Sequence, residues 1–148
     1  MPAIEHSFYI AIYLLRGMKI LLIEDDHDDI ELLEGALADN GVLYSIAIIH
    51  DGKAAVEYIK NCMESPDIIV LDYNLPKIHG REVLKEIKSA DKFKNLPLLI
   101  LTTSSSKDDI EYAYKYGADK YLIKPISTEG IKEMANVIVS LGTKRKPI

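Results

Sequence analysis

Four short stretches of the chain place charged or hydroxyl side chains directly after apolar runs. Glu24-Asp25-Asp26 follows Ile20–Ile23, Asp72-Tyr73-Asn74 follows Ile68–Leu71, Thr102-Thr103-Ser104 follows Leu98–Leu101, and Lys124-Pro125 follows Tyr121–Ile123. Two carboxylates about 4 Å apart repel by roughly 4 kcal/mol at an effective dielectric near 20, so acids gathered at one place need a compensating charge. A divalent cation supplies it. The stretches contain no histidine or thiolate, and an all-oxygen donor set suits Mg²⁺ held by one or two carboxylates, a backbone carbonyl and water.

The elements that must position these residues are legible as well. The apolar runs Ile20–Ile23, Ser45–Ile49, Ile68–Leu71, Leu98–Leu101 and Tyr121–Ile123 are four or five residues or fewer and rich in β-branched side chains, which predicts buried strands. Between them apolar residues recur at spacings of three and four: Ile30, Leu33, Leu37; Ala54, Ala55, Tyr58, Ile59, Cys62; Val83, Leu84, Ile87; Ile110, Ala113, Tyr114; and Ile131, Met134, Val137, Ile138, Leu141. Each set marks one face of a helix. Alternating strands and helices, with continuous rather than alternating apolar strands, predict a parallel sheet covered by helices on both faces. In such sheets ligands bind beyond the carboxyl ends of the strands, which is where all four stretches fall.

Composition narrows the function classes. The chain has 148 residues, enough for one domain with a core that needs no covalent staple, and its 48% hydrophobic and 28% charged content is that of a globular protein. A single cysteine, Cys62, excludes an internal disulfide and a thiolate zinc site and favours a reducing, cytoplasmic compartment. Residues 18–143 carry 14 basic and 22 acidic side chains, a net of −8; Glu5 and Arg16 cancel before them, and Lys144-Arg145-Lys146 adds +3 after. Such a body repels a phosphate backbone, so nucleic acid is not the expected partner. The apolar run Phe8–Leu15 has eight residues against the roughly 20 of a membrane span, and it lacks the flanks of a signal peptide. Residues 1–17 read as an N-terminal extension or an overlong start ahead of Met18, and residues 144–148 as a basic C-terminal tail.

Taken together, residues 19 to about 141 resemble the receiver domain of two-component response regulators. Ile-Leu-Leu-Ile-Glu-Asp-Asp puts Glu24 and Asp25 at the family's metal-binding positions, with Asp26 one place beyond. Val-Leu-Asp-Tyr-Asn-Leu-Pro puts Asp72 at the phosphoacceptor position and offers the Asn74 carbonyl to the metal. Thr102 matches the hydroxyl that contacts the phosphoryl group, Tyr121 the switch aromatic, and Lys124-Pro125 the lysine before a proline that is cis in the family. The spacings of 47, 30 and 22 residues along Asp25, Asp72, Thr102 and Lys124 are family-like. Asn-Leu-Pro-Lys-Ile-His-Gly-Arg-Glu-Val-Leu, followed by Leu-Thr-Thr-Ser, is similar to stand-alone single-domain regulators that partner bacterial phytochromes. His79 departs from the usual Asp before Gly80.

The resemblance implies a flavodoxin-like doubly wound α/β fold of five parallel strands in the order 2-1-3-4-5. It implies a chain that takes a phosphoryl group from a sensor histidine kinase or phosphotransfer protein onto Asp72, with Mg²⁺ as cofactor. Lys124 would pair with Asp72 at rest and stabilise the transferred charge. Thr102 would move inward and Tyr121 would turn from exposed to buried, altering the face of helix four, strand five and helix five, where a downstream protein or a second copy docks. The chain would catalyse only its own phosphorylation and dephosphorylation. Two other readings stand beside it: a receiver-like interaction module that is never phosphorylated, and a Mg²⁺-dependent phosphohydrolase, for which a second Asp two residues after the nucleophile is expected and Asn74 stands instead. Ser106 and Asp109 fit a helix-capping pattern, Cys62 a small helix-face hydrophobe, and His6, His27, His50 and His79 no metal spacing.

Overall fold

A computed structural model describes residues 17–62 and 64–144. The run Phe8–Leu15, the extension up to Arg16 and the tail beyond Lys144 lie outside the described residues. Strands and helices alternate: β1 (Met18–Ile23), α1 (His27–Asn40), β2 (Tyr44–Ile49), α2 (Gly52–Asn61), β3 (Ile68–Leu71), α3 (Gly80–Ser89), β4 (Leu98–Thr102), α4 (Lys107–Lys115), β5 (Lys120–Ile123) and α5 (Thr128–Thr143). The strands form one parallel sheet in the order β2-β1-β3-β4-β5, with Ile23 level with Ile49 on one side and Leu71 on the other.

Period-two alternation divides each central strand between two cores. Ile20 and Leu22, Ile68 and Val70, and Leu99 and Leu101 pack with α1 and α5, chiefly on Ile30, Leu33, Leu37, Met134 and Ile138. Leu21 and Ile23, Ile69 and Leu71, and Leu98 and Ile100 pack with α2, α3 and α4, on Ala55, Ile59, Val83, Leu84, Ile87 and Ala113. Covering both faces is what makes β3 and β4 buried throughout. The expectation of continuous burial fails at the edges. β2 alternates, with Ser45 and Ala47 exposed, and β5 buries only Tyr121. An edge strand has a neighbour on one side only, so one face loses its cover.

All the strand-to-helix turns end in side-chain caps. Asp26, Asp51, His79, Ser106 and Ser127 occupy the N-cap positions of the five helices among the described residues, each accepting a backbone N–H of the first turn. His79 therefore does the work of the usual Asp: its Nδ1 accepts from Arg81 N at 3.1 Å. Gly80, which follows, is an obligatory small residue. A Cβ there would lie 2.4 Å from Tyr73 Cα and 2.5 Å from the Asp72 carbonyl oxygen, both rigid backbone. The first turn of α3 thus sits directly on the segment that carries Asp72. Gly80→Ala is expected to cost about 1–3 kcal/mol through overpacking, read as a lower urea midpoint at unchanged slope.

Candidate functional site

β1 and β3 are neighbours in register, so the residues that follow them, Glu24 and Asp72, emerge side by side. Their backbones are tied to the sheet: Glu24 N donates to the Ile49 carbonyl at 2.9 Å and Asp72 N to the Ile23 carbonyl at 3.1 Å. Both carboxylates are buried. Asp25, the next residue, is exposed, and oxygens of Glu24, Asp25 and Asp72 lie within 4.8 Å of one another. On the far side Lys124 N donates to the Thr102 carbonyl at 2.8 Å, which sets the lysine one residue past the edge of β5. Its side chain reaches across β4 to the acids.

The Lys124 ammonium is saturated. Nζ lies 2.6 Å from Asp29 Oδ2, 2.7 Å from Glu24 Oε1 and 2.9 Å from Asp72 Oδ2, one carboxylate for each of its three N–H donors. The second oxygens of Glu24 and Asp72 are occupied too: Glu24 Oε2 accepts from Asp25 N and Asp26 N, and Asp72 Oδ1 accepts from Asn74 N at 3.1 Å. Every buried side-chain N or O among the described residues has a partner.

Charge is shared unequally. Burial drives the Glu24 carboxyl up to about 7, against the opposing pull of Lys124. Asp72 is also penalised by burial, but its bonds to Lys124 and the Asn74 N–H outweigh that and hold it below the ordinary carboxylate range. Lys124 moves up: burial opposes its charge, and the bonds to Asp29, Glu24 and Asp72 more than offset burial. With one ammonium between two buried acids, ionisation is favoured at Asp72 and opposed at Glu24. Three carboxylate oxygens converging on a point fit a hard divalent cation.

Thr102, the last residue of β4, is fully buried; its Oγ1 accepts weakly from Asn74 Nδ2 at 3.4 Å. Asn74 thus reaches the site through its backbone N–H and its amide, while its side chain stays exposed. Tyr121 lies at the buried end of the path that the family resemblance implies, with 8% of its surface exposed. Its hydroxyl donates to the Ser104 carbonyl at 2.8 Å, and its ring meets Tyr73 edge-on at 6.0 Å. The Lys124–Pro125 peptide is trans, where the resemblance implies cis; no cis bond occurs among the described residues.

Two features escaped the sequence. Asp29 joins the site from the first turn of α1. Asp109 gives its backbone N–H to the expected Ser106 cap, and its carboxylate turns to Arg81 and to Ser104 Oγ, tethering the β4–α4 loop to α3. The signal for Arg81 was absent, because a pair 28 residues apart leaves no local pattern.

The chain is similar to known proteins over most of its length. Residues 20–136 match the family model described as "Response regulator receiver domain". The chain is 37% identical over 134 residues, 86% of each chain, to the probable methanogenesis regulatory protein FilR2 of Methanothrix harundinacea. It is 36% identical to the response regulator Rcp1 of Synechocystis, covering 82% of this chain and 86% of that one. The Mn²⁺-bound form of Rcp1 superposes with a TM-score of 0.77, covering 88% of this chain and 99% of that one. The phosphorylated cyanobacterial phytochrome response regulator RcpA also gives 0.77, at 35% identity, over 85% of this chain and 94% of that one.

Proposed function

This chain belongs to the response regulator receiver domain family of two-component signalling, and on that premise we propose that it accepts a phosphoryl group on Asp72 from the phosphohistidine of a sensor kinase or phosphotransfer protein. The observation that carries the reading is the single ammonium of Lys124 bonded to Asp72 beside two further acids at the mouth of the sheet. Asp72 is the deprotonated, buried nucleophile. Its oxygen forms the new O–P bond as the P–N bond of the donor breaks, and the freed imidazole keeps the electron pair. Glu24, Asp25, Asp72 and the Asn74 carbonyl would hold Mg²⁺, which would neutralise the charge on the transferring phosphoryl oxygens. Lys124 supplies a fixed point charge to the same oxygens. Thr102 is placed to bond one of them, and movement of the β4–α4 loop would pass to Tyr121 and to the α4-β5-α5 face for a downstream protein or a second copy.

We take residues 18–143 as the receiver unit, with 1–17 as an extension and 144–148 as a basic tail. It acts in the cytoplasm, on no substrate besides itself. No helix among the described residues is long and apolar enough to cross a membrane. The test is the mass of the intact chain after incubation with Mg²⁺ and a small acyl phosphate. One added phosphoryl group, absent with chelator, is expected. No adduct from the small donor or from sensor kinases would return the chain to the class of unphosphorylated interaction modules.

A second expectation concerns pH. Glu24 keeps its proton up to about pH 7 and must lose it to bind a metal ion. Mg²⁺ affinity is therefore expected to fall as pH drops from about 8 to about 6, approaching tenfold per unit below 7. Calorimetry near pH 6 should show about one proton released per ion. A flat profile would remove Glu24 from the ligand set.

A further inference from the structure

Asp29 occupies the third position of α1, and its backbone N–H donates to the N-cap Asp26 at 3.1 Å. In a reciprocal capping box the acid at this position turns back to the N-cap N–H. Here that N–H is already taken by Glu24 Oε2 at 3.3 Å, and the Asp29 carboxylate points across the site to Lys124 instead. Its contact of 2.6 Å is the shortest of the three that the ammonium makes. We propose that Asp29 is a positioning residue that divides Lys124 between the metal-binding acids and the phosphoryl group.

This role rests on the receiver chemistry proposed above and on the three-donor limit of an ammonium. Lys124 and a divalent cation compete for Glu24 and Asp72, because both draw on the same two carboxylates. Asp29 is the one acid on Lys124 that lies outside the converging metal cluster, so it can keep the ammonium when Glu24 and Asp72 turn to a cation. A phosphoryl group on Asp72 meets the opposite situation. It adds negative charge beside Asp29 and needs the donor that Asp29 holds. Asp29 therefore favours the cation and opposes the anion. The oxygens of Asp29 and Asp72 both lie within 3 Å of one nitrogen, so removing the Asp29 charge acts at short range.

Asp29→Asn keeps the shape and deletes the charge. Two affinities of the full chain decide the matter: Mg²⁺ alone by calorimetry, and beryllofluoride at saturating Mg²⁺. Asp29→Asn is expected to weaken Mg²⁺ by about three- to tenfold and to tighten beryllofluoride by a similar factor. Asp29→Glu is expected to return both toward the wild type. A structural role alone would move both affinities in the same direction, and that result, or no change in either, overturns the proposal. If the wild type takes no beryllofluoride, the phosphoacceptor reading falls by itself. The Mg²⁺ arm then decides Asp29: unchanged affinity in Asp29→Asn overturns its role, and a three- to tenfold loss restored by Asp29→Glu upholds it.

Discussion

Asp72→Asn is expected to abolish the phosphoryl adduct completely while leaving the fold in place. An amide has no lone pair basic enough to open an acyl phosphate bond, so the chemical step is lost rather than slowed. The fold should tolerate the change because Asn is nearly isosteric and its carbonyl can still accept the Asn74 N–H that Asp72 Oδ1 now accepts. The amide nitrogen would then face the Lys124 ammonium, which retains Glu24 and Asp29. One lost acceptor is offset by relief of repulsion between two buried acids, since the charge on Asp72 contributes to the upward shift of Glu24. The net stability change is expected within about 1 kcal/mol in either direction. The check is intact mass with Mg²⁺ and an acyl phosphate, alongside a thermal melt. An adduct that persists in Asp72→Asn would mean another acid is the acceptor, with exposed Asp25 the first to map by fragmentation.

The contrast between this site and the sheet beneath it shows what a linear pattern can convey. β3 was legible to the residue, because Ile68–Leu71 is flanked by polar residues and has a neighbour on either side. The β2 run was placed to within one residue but its burial was misread, since Ser45 and Ala47 are apolar enough by context to join a run yet lie at the sheet edge. Strand order decides that, and order entered only through family resemblance. Glu24, Asp72, Thr102 and Lys124 were legible for a related reason: each follows or ends a strand, and parallel strands deliver their ends to one side. Asp29 was not. Its spacing from Asp26 reads as helix capping, and only the prior occupation of the Asp26 N–H by Glu24 redirects it. Likewise Tyr121 was expected to start exposed, whereas a tyrosine at position 73 offers it a ring to pack against and the Ser104 carbonyl takes its hydroxyl.

Lys124→Ala should have the second large effect, and its sign with pH tests the electrostatics of the whole cluster. The pKa of Lys124 is raised above its ordinary 10.5, so the stabilisation it gives is fully present below that value and is lost only as pH rises through the folded-state value. Removing it strips from Glu24 and Asp72 the only ammonium that the described residues place on them, and both side chains are 4% exposed. Breaking a buried pair from one side costs about 3–5 kcal/mol when the remaining charge cannot escape. Glu24 provides an escape, because its pKa, raised to about 7 by burial, allows it to take up a proton. The loss in Lys124→Ala is therefore expected to be smaller near pH 6 and to grow toward pH 8, where Glu24, no longer drawn down by the ammonium, must hold a proton that the unfolded chain has released. Saturating Mg²⁺ should restore most of it at pH 8, and by more than it stabilises the wild type, since no ammonium then competes for the oxygens. Phosphorylation should persist at a reduced rate, but without the ammonium the phosphoryl group loses its link to the end of β5. Hydrogen exchange in the Ser104–Ser106 loop should then change on addition of beryllofluoride in the wild type and stay flat in the variant. Equal destabilisation at pH 6 and pH 8 would show that Lys124 acts by packing rather than by charge, and a normal loop response would detach it from the switch.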